Sequence, residues 1–273
     1  MQSFDIDCRL CPRLANFLDD VKVKEPAYFA RPVPAFGVSQ PELLIVGLAP
    51  GMHGANRTGR PFTGDYAGVL LYETLNKFGF ASAPVSTSVD DGLKLIACRI
   101  TNAVKCLPPD NKPKPEEINT CNRYLAAEMD GLSEGCIILA LGNVAHAAVL
   151  KAHGLKVGAY KFGHAARHIL PNGRVLYDSY HCSRYNTQTK RLTESMFHEV
   201  FASIKSELWK GSDMPYINIK HAGSLTREQK AEIAKEVTET MQRVAKKPAS
   251  YTYITFDEVA YEDWAIAGKL LDE

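Results

Sequence analysis

Residues Glu42 to Ala49 read ELLIVGLA, a nearly continuous apolar run. A strand exposed on one face would alternate apolar with polar residues, so this run predicts a strand buried on both faces of a parallel sheet. Comparable runs cover Leu93 to Val104, Cys136 to Leu141 and Arg174 to Tyr180. Between the first two, Ala67, Leu70, Leu71, Leu75 and Phe78 share one helical face, and Gly79 stops the helix. A second helix is predicted to open at Pro115, with Glu116 and Glu117 in the first turn, where the helix dipole favours acids. A third aligns Phe197, Val200, Phe201, Ile204 and Leu208. This alternation predicts an α/β fold, a three-layer αβα domain with a mainly parallel central sheet. In such sheets ligands bind at the carboxyl ends of the strands.

The chain has 273 residues, 45% apolar and 23% charged, which excludes disordered and fibrous classes. Its longest apolar run, Cys136 to Leu150, is broken by Asn143 and His146, and the first residues lack the basic start of a secretory signal. A soluble cytoplasmic protein with no membrane partner is expected. Residues 1–210 carry 24 Lys plus Arg against 20 Asp plus Glu, and residues 211–273 carry 8 against 11. Gly211-Ser212-Asp213 marks the boundary, giving domains 1–210 and 211–273. In the second, Ile217 and Ile219 alternate with polar neighbours. Thr226 and Gln229 then have capping-box spacing before a helix carrying Ile233, Val237, Met241 and Val244 on one face. Tyr251 to Phe256 (YTYITF) reads as a strand. So small a β-α-β unit has little core, and is expected to pack on the first domain or on copies of itself.

Seven cysteines in a reducing compartment point to metal ligands rather than disulfides. Cys8 and Cys11 stand at C-x2-C spacing, and Cys106 and Cys121 form a second pair across a proline-rich stretch. Four such thiolates predict a tetrahedral zinc or a 4Fe-4S cluster. Cys98 and Cys136 lie inside apolar strand patterns and read as core. The stretch Gly51 to Gly64 (GMHGANRTGRPFTG), directly after the first strand, is a loop whose backbone can approach a ligand closely. It matches neither G-x-G-x-x-G nor G-x-x-x-x-G-K-[ST], which argues against a nucleotide cofactor. On spacing alone, Asp65 reads as the cap of the following helix rather than as a catalyst. His181 to Asn186 (HCSRYN) comes after the fourth strand run and places a histidine on the ligand edge of the sheet.

Together these residues resemble the iron-sulfur uracil-DNA glycosylases, most closely the type 5 branch. Gly47 to Gly68 (GLAPGMHGANRTGRPFTGDYAG) is similar to that branch's first motif, Thr101 to Pro109 (TNAVKCLPP) to its segment at the third cluster cysteine, and His181 to Thr193 (HCSRYNTQTKRLT) to its second motif. Cys182 departs from the proline usual there. The resemblance spans residues 1–208 and implies a structural 4Fe-4S cluster on Cys8, Cys11, Cys106 and Cys121. It also implies excision of uracil, and of hypoxanthine or other deaminated bases, from double-stranded DNA, with single-stranded DNA as a further substrate. In that reading Phe62 stacks on the flipped base, Asn102 bonds its Watson-Crick edge, and Arg184, Tyr185 and Asn186 face the DNA. His181 and the backbone of Ala49, Pro50, Gly51 and Met52 stabilise the departing base. Leu48 stands where the type 4 branch has glutamate, so the resemblance makes Asp65 the catalytic carboxylate.

Residues 214–220 and 256–268 resemble the 4-oxalocrotonate tautomerase family, whose free N-terminal proline is a general base. Here Pro215 is internal and its nitrogen is an amide; Leu225 and Tyr253 fall where the family has substrate-binding arginines. The tail is therefore expected to serve as a homo-oligomerisation module through residues 214–273. The competing functions are a metal-stabilised nucleic-acid-binding protein without catalysis, and a keto-enol tautomerase should Pro215 become exposed.

Overall fold

A computed structural model describes residues 4–210, 216–245, 249 and 252–272. The chain divides into two compact units, Met1–Leu208 and Trp209–Glu273. The expected boundary at 211–213 lies outside the described residues.

In the first unit the elements run α1 (Pro12–Lys24), β1 (Phe36–Gly37), β2 (Leu43–Gly47), α2 (Ala55–Thr58), α3 (Tyr66–Lys77) and β3 (Cys98–Asn102). Next come α4 (Pro115–Asp130), β4 (Ile137–Leu141), α5 (Asn143–Ala152), β5 (Arg167–Ile169), β6 (Val175–Ser179), α6 (Arg184–Gln188) and α7 (Glu194–Lys210). Six strands form one sheet in the order β1-β3-β2-β4-β6-β5. The inner four are parallel, with Ile45 of β2 level with Ile100 and Leu139; β1 and β5 close the edges antiparallel.

Alternate residues of β2 point to opposite faces, and both faces are covered. Leu43 and Ile45 pack with Leu71 and Leu75 of α3 and with Phe197 and Phe201 of α7. Leu44 and Val46 pack with Leu125 and Met129 of α4 and with Ala145 and Val149 of α5. That two-sided burial is why the run is apolar throughout, and it makes the expected three layers. Helix α1 adds Leu14, Leu18 and Val21 to a third cluster with Val104, Leu107 and Tyr124.

The structure corrects one reading and adds elements that the sequence reading did not contain. The expected strand from Leu93 to Val104 contracts to Cys98–Asn102, because Ala97 turns left-handed at φ +50°. Helix α5 was hidden in the apolar run after β4; the two meet at Gly142, whose φ of +95° separates them. Short apolar runs carry no period by which helix and strand can be told apart. Helix α1 and the edge strands β1 and β5 are additions.

The second unit holds β7 (Tyr216–Ala222), α8 (Arg227–Ala245), β8 (Tyr253–Val259) and the small pair β9 (Ala265–Ile266) and β10 (Lys269–Leu270). Strands β7 and β8 pair in parallel, so this is a β-α-β unit. The capping box forms as expected: Gln229 N–H donates to Thr226 Oγ1 at 3.3 Å, and Thr226 N–H to Gln229 Oε1 at 2.9 Å. None of its described residues is buried, since its apolar side chains have one thin layer to cover them. Among the described residues no helix is long and apolar enough to cross a membrane.

Candidate active site

Strands β3, β2, β4 and β6 are neighbours, and their carboxyl ends open onto one cavity of about 430 Å³. Each strand end supplies part of the lining: Leu48 and Ala49 after β2, Asn102 at the end of β3, Gly142 and Val144 after β4, His181 after β6. The glycine-rich loop adds Gly51, Phe62 and Asp65.

Asp65 is both cap and cavity residue. Its Oδ1 accepts the Gly68 N–H at 2.9 Å as the N-cap of α3. Its Oδ2 is turned toward Gly54, where an added Cβ would lie only 2.3 Å away, so only glycine lets the carboxylate sit there. Burial raises the Asp65 carboxyl above its ordinary range, opposed by the N–H groups of Gly68 and Ala67. A carboxylate so placed is a stronger base than a solvated one.

Phe62 takes the left-handed conformation at φ +55°. Its ring fits against Gly47, where a Cβ would meet Asn102 Oδ1 at 2.4 Å and Phe62 Cζ at 2.7 Å. It also stacks on His181, with centroids 5.7 Å apart and planes 26° from parallel. A base sandwiched between two rings needs about 7 Å, two van der Waals gaps. No base can therefore enter between Phe62 and His181 as they stand, and a base stacking on Phe62 without displacing His181 has to use the other face of the ring.

Two cavity-lining residues each carry a buried polar atom without a partner among the described residues, Asn102 Oδ1 and His181 Nδ1. An unsatisfied buried group is costly, and a ligand that bonds it recovers that cost. Burial lowers the His181 ring to about 4, so it is neutral at physiological pH.

The remaining candidates lie around the mouth or behind the wall. Pro50 is buried, and Met52 packs against the α1 cluster. Ser183, which sequence reading passed over, lines the cavity and caps α6. Within α6 the Arg184 guanidinium lies 5.6 Å from the Tyr66 ring centre, and Tyr185 is 70% exposed. Asn186 is engaged inward, donating from Nδ2 to the His181 carbonyl at 2.8 Å. The lining from the β4–α5 turn was also missed, because strand order, invisible in the sequence, sets β4 between β2 and β6.

Cys8, Cys11, Cys106 and Cys121 surround a second, smaller cavity beneath α1. Burial is the main cause raising the thiols of Cys106 and Cys121, and it pushes Cys11 up to about 11. Each would-be thiolate adds to the penalty on its neighbours. Such a donor set ionises together only around a cation, which fits a metal centre. The surroundings are rigid: the Lys105 N–H meets Cys121 Sγ at 3.3 Å, and the buried Lys105 ammonium pairs with Glu128 at 2.8 Å. Cys98 and Cys136 lie in the sheet core and line no part of this cavity.

A family model of the uracil DNA glycosylase superfamily matches residues 34–205, and one of the tautomerase enzymes matches residues 215–273. The chain belongs to the uracil DNA glycosylase superfamily. Within it, residues 34–205 are those of a type-5 uracil-DNA glycosylase, with a tautomerase-family segment after them, as the motifs led us to expect. The type-5 uracil-DNA glycosylase of Thermus thermophilus is 48% identical over 203 residues, covering 72% of this chain and 92% of its own. That of Mycobacterium tuberculosis is 42% identical over 206 residues, covering 72% and 77%. The type-4 enzyme of Saccharolobus solfataricus is 28% identical over 181 residues, covering 64% and 77%. A chain from the 4-oxalocrotonate tautomerase isozymes of Methylibium petroleiphilum is 26% identical, covering 21% of this chain and 94% of its own, with a TM-score of 0.21.

Proposed function

We propose that this chain removes uracil, and by the same pocket hypoxanthine, from DNA by hydrolysing the N-glycosidic bond and leaving an abasic site. The observation that carries this reading is that Asp65, Asn102 and His181 line one strand-end cavity, the last two each with a polar atom left without a partner. A base within a duplex must first be flipped out, at a cost of a few kcal/mol. The Asn102 carboxamide bonds the Watson-Crick edge of the flipped base, and Arg184 and Tyr185, both exposed, fill the vacated stack. As the bond breaks, negative charge gathers on the base, and a neutral His181 donates an N–H to its oxygen. Asp65 orients water toward the sugar and takes its proton. Duplexes each carrying a single uracil or hypoxanthine test this. Release of free base is expected, and tight binding without release would favour a non-catalytic nucleic-acid-binding protein.

The four cysteines are proposed to hold a 4Fe-4S cluster, which when bound would supply a structural cross-link between the segment entering α1, the β3–α4 connection at Cys106 and α4 itself at Cys121. Cys8, Cys11, Cys106 and Cys121, which line one cavity, are the residues that would hold it. Protein purified without oxygen should be brown with about four irons per chain. Alanine at Cys106 should abolish the colour, whereas Cys98→Ala should keep it; a colourless protein with one zinc would overturn the assignment.

For the tail we propose self-association. Pro215 lies outside the described residues, and as an internal residue it has no basic nitrogen. The half-buried Ile217, Ile219, Ile254 and Trp264 lack a second covering layer within the unit. Light scattering should give a multiple of the chain mass for the full chain and a monomer for residues 1–210; equal monomers would rule self-association out.

A further inference from the structure

Behind the cavity wall lies a buried polar cluster that takes no part in the steps above. His146 of α5 is fully buried, and both ring nitrogens face acceptors: Nδ1 is 2.8 Å from Asp178 Oδ1, and Nε2 is 3.0 Å from the Tyr160 carbonyl oxygen. A neutral imidazole carries one proton and can satisfy one acceptor. With a carboxylate at one nitrogen and a carbonyl at the other, the ring bonds both only if both nitrogens are protonated. Asp178, fully buried on β6, has its second oxygen 3.1 Å from His168 Nε2 on β5. The Phe162 ring covers His146 edge-on at 5.6 Å, so the groups facing it are Asp178, His168, Tyr160 and Phe162.

This cluster joins the two segments that frame His181. The His146 N–H bonds the Gly142 carbonyl at 3.1 Å, and the Gly142 N–H bonds the Ser179 carbonyl at 2.8 Å. Gly142 lies against His181, since a Cβ built on it would sit 3.7 Å from that residue's Cβ. Asp178 is three residues before His181 on the same strand end. We propose that His146 is held as a doubly protonated imidazolium paired to Asp178, and that this ion pair is a positioning device for His181, locking the first turn of α5 to the end of β6. Burial opposes the charge, but the bond to Asp178, its field and the Tyr160 carbonyl prevail and raise the ring above its ordinary value. His146 is a positioning residue; it touches neither base nor sugar.

The inference rests on the uracil-excision reading for its kinetic part, but the protonation state is read without substrate. In the holoprotein labelled with ¹⁵N-histidine, the His146 signal, assigned by its loss in His146→Gln, should show both nitrogens protonated at pH 7.5. Raising the pH should remove the second proton and lower kcat for uracil release together. Asp178→Asn keeps the shape of the carboxylate and should leave a neutral ring, with kcat down ~10- to 100-fold, as for a misplaced reacting group, and KM for duplex DNA unchanged. A neutral wild-type ring at pH 7.5 would overturn the proposal. So would a zinc ion, additional to any cluster metal, that is lost in His168→Ala, because the three groups would then be metal ligands. Should Asp178→Asn not fold, the wild-type titration decides: kcat independent of the second ring proton sinks the idea. A wild type that releases no uracil condemns the excision reading and leaves the ring measurement standing.

Discussion

Asp65→Asn should lower uracil release by about 100-fold or more while leaving duplex binding and thermal stability nearly unchanged. Two roles meet at this residue, and asparagine separates them. Asparagine caps a helix about as well as aspartate, so the bond from the Gly68 N–H to Oδ1 survives and α3 keeps its start. What disappears is the negative charge and the basic Oδ2 beside Gly54. The substituted amide also removes a charge that burial disfavours, which offsets any loss from a weaker cap. Single-turnover kinetics on a uracil duplex, with melting curves alongside, check the result. Full activity with a lowered melting temperature would mean that Asp65 is a cap and nothing more.

The second large effect is expected at His181. His181→Ala should lower the excision rate by about 100-fold to 1,000-fold, the range seen when one donor to a developing anion is removed. The pH behaviour distinguishes this histidine from one that works as a cation. Its ring is neutral in the folded protein down to about 4, while in the unfolded chain it takes a proton near 6.5. Between those values the unfolded state binds more protons, so stability contributed by His181 is fully present above 6.5 and lost as the pH falls toward about 4. The alanine variant should therefore lose less stability than wild type on acidification through that window, while being much slower at pH 7.5. A variant with unchanged single-turnover rate would remove His181 from the mechanism.

The apolar run at Glu42 to Ala49 determined a strand covered on both sides, because no solvent-facing strand tolerates five consecutive buried positions. From that strand and its successors came the parallel sheet and the location of the ligand edge, and the motifs at Gly47 to Gly68 and at His181 placed the principal side chains at one opening. The Thr226 and Gln229 capping box was equally local, since it depends on a spacing of three. Other features depend on neighbours far apart in the chain. The β4–α5 turn reaches the cavity only because β4 lies between β2 and β6. Helix α5 could not be separated from β4 while the two formed one apolar run without a period. Asp65 was cap or catalyst by spacing, and only the approach of Gly54 shows which oxygen does the capping and which faces the loop. The contact between Phe62 and His181, too close to admit a base, joins residues 119 positions apart. The charged state of His146 depends on a carboxylate 32 residues away and a backbone carbonyl 14 residues away. Local propensity and period are properties of adjacent residues and can be read along the chain; burial, protonation and the facing of two groups across a cavity arise only when the sheet has set distant segments side by side.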